Sequence, residues 1–245
     1  MNEYKSMLVG PTSPFALSEA FKEIRTNMLY TARGIRCPIY AVTSDFAHAG
    51  KTVISANLAA SFAGLGKRVL LIDADLRNPA QHKVFGVERS PGLSEVAAGL
   101  CTDYEAVIVP TGVEGLDLVP AGHIPPNPTE LLSSSAFETF IHTMQEKYDV
   151  LFLDFPPSCV VVDALIPASM ITGYAFVVRT GLSDRRAVSD ALSALSGVGA
   201  KVLGVILNGV DPKEGGYGNN SRSKYKYRYK YNYAYHSPKT EEKQD

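Results

Sequence analysis

The chain has 245 residues, enough for one large α/β domain or two small ones, and its 45% apolar and 20% charged content is that of an ordinary soluble globular protein. A formal net charge of −1 excludes a uniformly basic surface, so no nucleic-acid partner is expected. Cys37, Cys101 and Cys159 are odd in number and far apart, which argues for a reducing compartment and against a disulfide framework or a zinc site.

The N-terminus, MNEYKSMLVGPTSPF, lacks a basic region followed by an apolar one, so no signal peptide is expected there. SPFALSEAFKEIRTNMLYTA (13–32) reads as a helix, with Ser13 and Pro14 as its start signal. Next come short β-branched runs: PIYAVTS (38–44), RVLLIDAD (68–75), LDLVPAG (116–122), DVLFLDFPP (149–157), YAFVVRTG (174–181) and KVLGVILNG (201–209). Several are apolar almost throughout, the pattern of strands buried on both faces of a parallel sheet. Helical stretches fall between them at 52–66, 129–148 and 184–199. The alternation predicts right-handed βαβ crossovers and a doubly wound, mostly parallel sheet. No apolar run approaches ~20 residues, so no membrane span is expected and any membrane attachment falls to another chain. After Gly209 the character changes: KEGGYGNNS (213–221) reads as a flexible linker. The expected organisation is one α/β domain over 1–212 and a tail over 213–245.

AVTSDFAHAGKTVISANLA (41–59) runs from a strand through a tight loop into a helix. Gly50-Lys51-Thr52 is the end of a P-loop, in which lysine reaches terminal phosphates, the hydroxyl ligates Mg²⁺ and the helix N-terminus accepts negative charge. The strict pattern wants glycine where Asp45 stands. A chance GKT at a helix start is the bland alternative, but this GKT follows the first strong strand, where the motif belongs. LLIDADLRNP (70–79) ends a strand in Asp73 and Asp75, and VLFLDFPP (150–157) ends another in Asp154. Such aspartates can simply cap a helix. Carboxylates at the C-terminal edge of a parallel sheet beside a P-loop instead favour Mg²⁺-nucleotide chemistry. No guanine-reading NKxD motif is visible, so ATP is the expected nucleotide. Asn208 is a candidate for contacting its base or an ordinary strand-end turn residue.

The deviant P-loop, LLIDADLRNP, the hhhhDxPP run and a terminal tyrosine cluster together resemble the bacterial tyrosine kinases of capsule and exopolysaccharide synthesis, in their separate Gram-positive form. The resemblance spans nearly the whole chain, and the DxDxR arrangement is its most specific element. It implies a P-loop ATPase fold and a nucleotide site of Ala49, Gly50, Lys51, Thr52 and Val53, with Arg77 reaching phosphate or an interface. Thr52, Asp73 and Asp154 are the implied Mg²⁺ holders, and Lys51, Asp73, Asp75 and Asp154 the catalytic set. Glu19, Lys22 and Arg25 match the helix that helps build ring-shaped homo-oligomers. Also implied are a cytoplasmic location, a membrane adaptor that recruits and activates the kinase, and an opposing tyrosine phosphatase. Ala47-His48 stands where relatives carry Pro-Gly, Phe155 where a small hydroxyl residue is usual, and Lys22 where an arginine is usual.

The tail contains SRSKYKYRYKYNYAYH (221–236), with tyrosine at every second position: Tyr225, Tyr227, Tyr229, Tyr231, Tyr233 and Tyr235. An edge strand with aromatics on one face is one reading, though six tyrosines without aliphatic partners make a poor core face. Single-stranded nucleic-acid binding is another. Beside an ATP site, autophosphorylation in a neighbouring copy's active site leads. Tyrosine, with its pKa of about 10, needs an acceptor for its proton, with Asp73 the first choice and Asp75 the second. The competing classes are a partition-type ATPase with incidental tyrosines, and a scaffold that binds nucleotide weakly.

Overall fold

The structure is a computed structural model of the chain, described over residues 7–10 and 13–210. Seven strands form one sheet: β1 (Ile39–Ser44), β2 (Val69–Asp73), β3 (Val109–Val113), β4 (Leu116–Val119), β5 (Val150–Asp154), β6 (Gly173–Arg179) and β7 (Val202–Asn208). Their spatial order is β3-β4-β2-β5-β1-β6-β7, and only the β3–β4 pair is antiparallel. The expected doubly wound, mostly parallel sheet is the one observed.

Helices cover both faces, which is why the central strands carry apolar residues without alternation. On one face Tyr40, Leu71 and Phe152 meet Phe21 and Met28 of α1 (Phe15–Thr31) and Leu58 and Phe62 of α2 (Lys51–Ala63). On the other, Leu70, Ile72 and Leu153 meet α6 (Ser135–Lys147) through Phe140 and Met144, and Phe176 lies in the same core as Leu195 of α7 (Arg185–Gly197). Short helices α3 (Gln81–Phe85), α4 (Leu93–Ala97) and α5 (Pro128–Leu132) fill the connections.

The register sets up the site. Asp73 and Asp154 are direct partners across β2 and β5, and Val42 pairs with Asp154 across β1 and β5. Both carboxylates and the loop after β1 therefore leave the sheet at the same C-terminal edge, where open α/β sheets place their ligands.

Three local expectations need correction. The helix expected over 129–148 is two helices, because Ser134 accepts from Phe137 N–H at 3.1 Å and starts α6 afresh. The strand expected over 116–122 stops at Val119: Pro120 brings no N–H, and its carbonyl accepts from Leu93 N–H instead. A strand not foreseen, β3, pairs antiparallel beside it, with Thr111 Oγ1 donating to Leu116 O at 2.7 Å. The linker and the tyrosine run lie outside the described residues, and no helix among those described is long and apolar enough to cross a membrane.

Tyr40, Phe62 and Phe152 form a fully buried aromatic cluster, with ring centroids 5.2–5.7 Å apart. Phe152→Ala should cost about 3–5 kcal/mol, read as a lowered urea midpoint with an unchanged slope.

Candidate active site

β1 delivers the chain to a tight loop, residues 45–50, before α2. Ser44 Oγ donates to Phe46 O at 2.8 Å, Arg179 Nη1 to His48 O at 3.0 Å and Asn208 Nδ2 to Ala49 O at 2.8 Å. Those donors hold carbonyls off the interior of the loop. His48 has φ +66°, the one non-glycine residue in the left-handed region among those described. The loop therefore needs the conformation that glycine adopts without strain, and histidine there costs ~1–2 kcal/mol. Gly50 caps α2 at φ +98°, and a Cβ there would lie 2.2 Å from Asn208 Nδ2. Asp45, in place of the strict motif's glycine, is buried and accepts from Ser183 Oγ at 2.9 Å.

Lys51, the first residue of α2, is buried between two carboxylates. Its Nζ lies 2.8 Å from Asp75 Oδ2 and 3.7 Å from Asp154 Oδ1. Asp73 Oδ2 accepts backbone N–H from Ala80 and Gln81 at 3.1 and 2.9 Å, and Asp75 Oδ1 accepts from Asn78 N–H at 2.9 Å. Asp154 Oδ2 accepts from Gln81 Nε2 at 2.9 Å, whereas its Oδ1 is buried without a hydrogen-bond partner. Three buried aspartates thus share one ammonium. Burial pushes the Asp73 carboxyl up to about 8, helped by the Asp154 charge. It pushes Asp154 up as well, against the pull of Lys51. For Lys51 burial works downward, but Asp154 and Asp75 outweigh it and the net direction is up.

This donor set fits Mg²⁺. The acidic excess and the partnerless Asp154 oxygen ask for a cation. Among the described residues no three acidic, histidine or cysteine side chains converge as an all-protein cage. Mg²⁺ does not need one, since it keeps waters and phosphate oxygens beside one or two carboxylates. Thr52, half-buried in the first turn of α2, and Val53 follow Lys51 directly.

Other expected site residues are placed differently. Arg77 forks onto buried Asp163 at 2.7 and 3.0 Å and reaches Thr129 Oγ1 at 3.2 Å, so its guanidinium fastens two loops rather than the P-loop. Asn208 donates to Ala49 O and its Oδ1 accepts from Gly209 N–H, which makes it a clamp on the loop. Arg25 donates to Ser61 O at 2.6 Å and so ties α1 to α2, while Glu19 and Lys22 pair with each other at 2.8 Å on the exposed side of α1. Phe155 is fully buried in the core. Gln81, not foreseen, touches all three catalytic segments; its only sequence signal is its place just after LLIDADLRNP.

The family described as the CobQ/CobB/MinD/ParA nucleotide binding domain matches residues 40–226. Tyrosine-protein kinase YwqD of Bacillus subtilis is 36% identical over 203 residues, covering 82% of this chain and 85% of that one. The chain belongs to the bacterial tyrosine kinases. Tyrosine-protein kinase CpsD of Streptococcus agalactiae is 37% identical over 202 residues, 82% of this kinase and 87% of that protein. The solved kinase domain of Escherichia coli tyrosine kinase ETK matches with a TM-score of 0.77 at 30% identity and covers 91% of both chains. This chain is thus a protein-tyrosine kinase built on a nucleotide-binding domain.

Two predictions test the geometry of this tyrosine kinase. Gly50→Ala should abolish nucleotide binding in isothermal titration, because strain at positive φ adds to a clash that breaks the Asn208 clamp. In the folded protein without Mg²⁺, Asp73 keeps its proton up to about 8, against an ordinary value of 3.8. The folded state binds the extra proton within that window, so stability falls as pH rises through it. The melting temperature without metal should decline from pH ~6 to pH ~8.5, and Asp73→Asn should flatten the slope.

Proposed function

We propose that this kinase transfers the γ-phosphoryl group of Mg²⁺-ATP to the tyrosines of its own C-terminal run, Tyr225 to Tyr235, with one copy serving as substrate of another, and that it thereby regulates capsule or exopolysaccharide synthesis. The observation that carries the reading is Lys51 held at the start of α2 between Asp75 and Asp154. That is a phosphate-reaching lysine stored on two carboxylates until a better anion arrives. Terminal phosphates of ATP would draw Lys51 off Asp75, supported by the N–H groups at the start of α2. Thr52 and Asp154 would hold Mg²⁺, with Asp73 behind them. When bound, the ion supplies charge neutralisation for the transferred phosphoryl group.

The hydrogen bonds around the two candidate bases favour Asp75 over Asp73. The Asp73 oxygens are taken up by backbone N–H groups of Asp75, Ala80 and Gln81. Asp75 Oδ2 is held by Lys51 and would be released as the lysine moves to phosphate. Asp75 is therefore the better group to orient a tyrosine hydroxyl and accept its proton, leaving positioning and electrostatics to supply most of the acceleration. A membrane adaptor's cytoplasmic segment would recruit and activate the kinase, and a tyrosine phosphatase would reverse it. The exposed Glu19–Lys22 side of α1 is where a homo-oligomer would form.

Mixing two full-length variants tests transfer between copies. Lys51→Met keeps the tail but loses the phosphate lysine; a chain with all six tail tyrosines changed to phenylalanine keeps the site but loses the acceptors. Neither should be labelled alone on an anti-phosphotyrosine blot with Mg²⁺-ATP. The Lys51→Met chain should be labelled in the mixture, at tail peptides on mass spectrometry. Persistent self-labelling of well-folded Lys51→Met would sink the site assignment, and an unlabelled mixture would leave a partition-type ATPase or a scaffold.

A further inference from the structure

Gln81 opens α3, and its side chain is completely buried. Its Nε2 lies 2.9 Å from Asp154 Oδ2, 2.8 Å from Ser55 Oγ and 3.1 Å from Thr52 O. Its backbone N–H donates to Asp73 Oδ2 at 2.9 Å. One residue therefore bonds to the P-loop helix, to the strand end at Asp73 and to the strand end at Asp154. The amide orientation follows from its neighbours: reversed, Oε1 would face the Asp154 carboxylate, acceptor against acceptor. An amide nitrogen carries two hydrogens for these three acceptors, and the charged carboxylate is the strongest of them.

The remaining atoms show what the contact does. With Oδ2 held by Gln81, Asp154 Oδ1 is left buried with no hydrogen-bond partner, and Lys51 stays 3.7 Å from it. Without the amide, Oδ2 would lose its donor, and Lys51 and Thr52 alone would set the orientation of the carboxylate. We propose that Gln81 is a positioning residue for Asp154, donating to Oδ2 so that Oδ1 stays presented to a divalent cation. This rests on the reading of Asp154 as a Mg²⁺ holder. Residues that orient a metal's ligands typically contribute ten- to a hundred-fold in metal affinity or activity.

Gln81→Met keeps length and volume but removes both donors. It also leaves the buried Asp154 Oδ2 without its donor, so the urea midpoint should fall, and the titrations are run where circular dichroism shows the variant folded. The full-length chain is titrated with Mn²⁺ in the presence of ADP and free Mn²⁺ is read by electron paramagnetic resonance. Affinity should drop about tenfold, with a matching rise in the Mg²⁺ needed for half-maximal autophosphorylation. ADP affinity without metal should change less than about twofold. Ser55→Ala removes a different acceptor of the same amide, and its Mn²⁺ affinity should stay within about threefold of the parent. Gln81→Leu replaces the Met variant if circular dichroism shows the latter misfolded. Equal losses in the Gln81 and Ser55 variants would mean that packing, not Asp154, was disturbed, and would overturn the inference. So would parental Mn²⁺ affinity in the Gln81 variant while Asp154→Asn loses it. If Asp154→Asn itself binds Mn²⁺ normally, the metal reading fails first and takes the inference with it.

Discussion

Three aspartates are buried around one lysine, and most of the architecture serves that arrangement. Moving a carboxylate out of water costs several kcal/mol even after relaxation, so burial drives Asp73 and Asp154 towards the protonated form while one ammonium serves Asp75 and Asp154. Backbone supplies the balance. The turns after β2 aim the N–H groups of Asn78, Ala80 and Gln81 at Asp75 and Asp73, and the sheet brings Asp154 alongside. What remains without a hydrogen bond is one oxygen of Asp154, 3.7 Å from Lys51. The protein thus stores a local electrostatic deficit that a Mg²⁺-nucleotide would relieve, so binding free energy and catalytic competence draw on the same feature.

The parts of this design that were legible in the sequence are those carried by contiguous residues. Apolar runs ending in Asp73, Asp75 and Asp154 announce buried strands with acids at one edge, and Gly50-Lys51-Thr52 announces the loop between β1 and α2. His48 stands where relatives carry glycine, and it is there that the backbone takes a positive φ, because the loop's shape depends on local dihedral angles. Features made by distant partners stayed hidden. Arg77 sits inside the most specific motif, yet its partner Asp163 is 86 residues away. Arg25 meets Ser61 across 36 residues. Gln81 looks like any polar residue after a turn until the fold delivers Asp154 to its amide. β3 was missed for another reason: VPTGV has a proline and a glycine, and its pairing rests on Thr111 and the neighbouring strand rather than on an apolar run.

Arginine in this kinase is chiefly a fastener. Arg77 joins the loop after β2 to the loop carrying Asp163, Arg179 holds the His48 carbonyl, and Arg25 ties α1 to α2. Arg77 uses its fork on a buried acid, work for which the more mobile lysine is poorly suited, while Arg179 and Arg25 each fix a backbone carbonyl through Nη1. Side chains thus fasten the loop between β1 and α2, and the exposed part of α1 carries the Glu19–Lys22 pair.

Asp73 and Asp154 stand on the same rung of neighbouring parallel strands. Side chains alternate faces along a strand, so a slip of a single residue would turn one of them to the opposite side of the sheet. Strand alignment is thus part of the enzyme's chemistry, and it divides the molecule into two rims with different freedoms. The strand ends and the loops that leave them carry Asp73, Asp75, Asp154 and the P-loop, and those loops cannot change length without cost. The loop ahead of Val69 lies at the other end of β2 from Asp73. Insertions, fusions and divergence belong on that silent rim, where a chain can be lengthened or rewired while the arithmetic of charge at the other end is left alone.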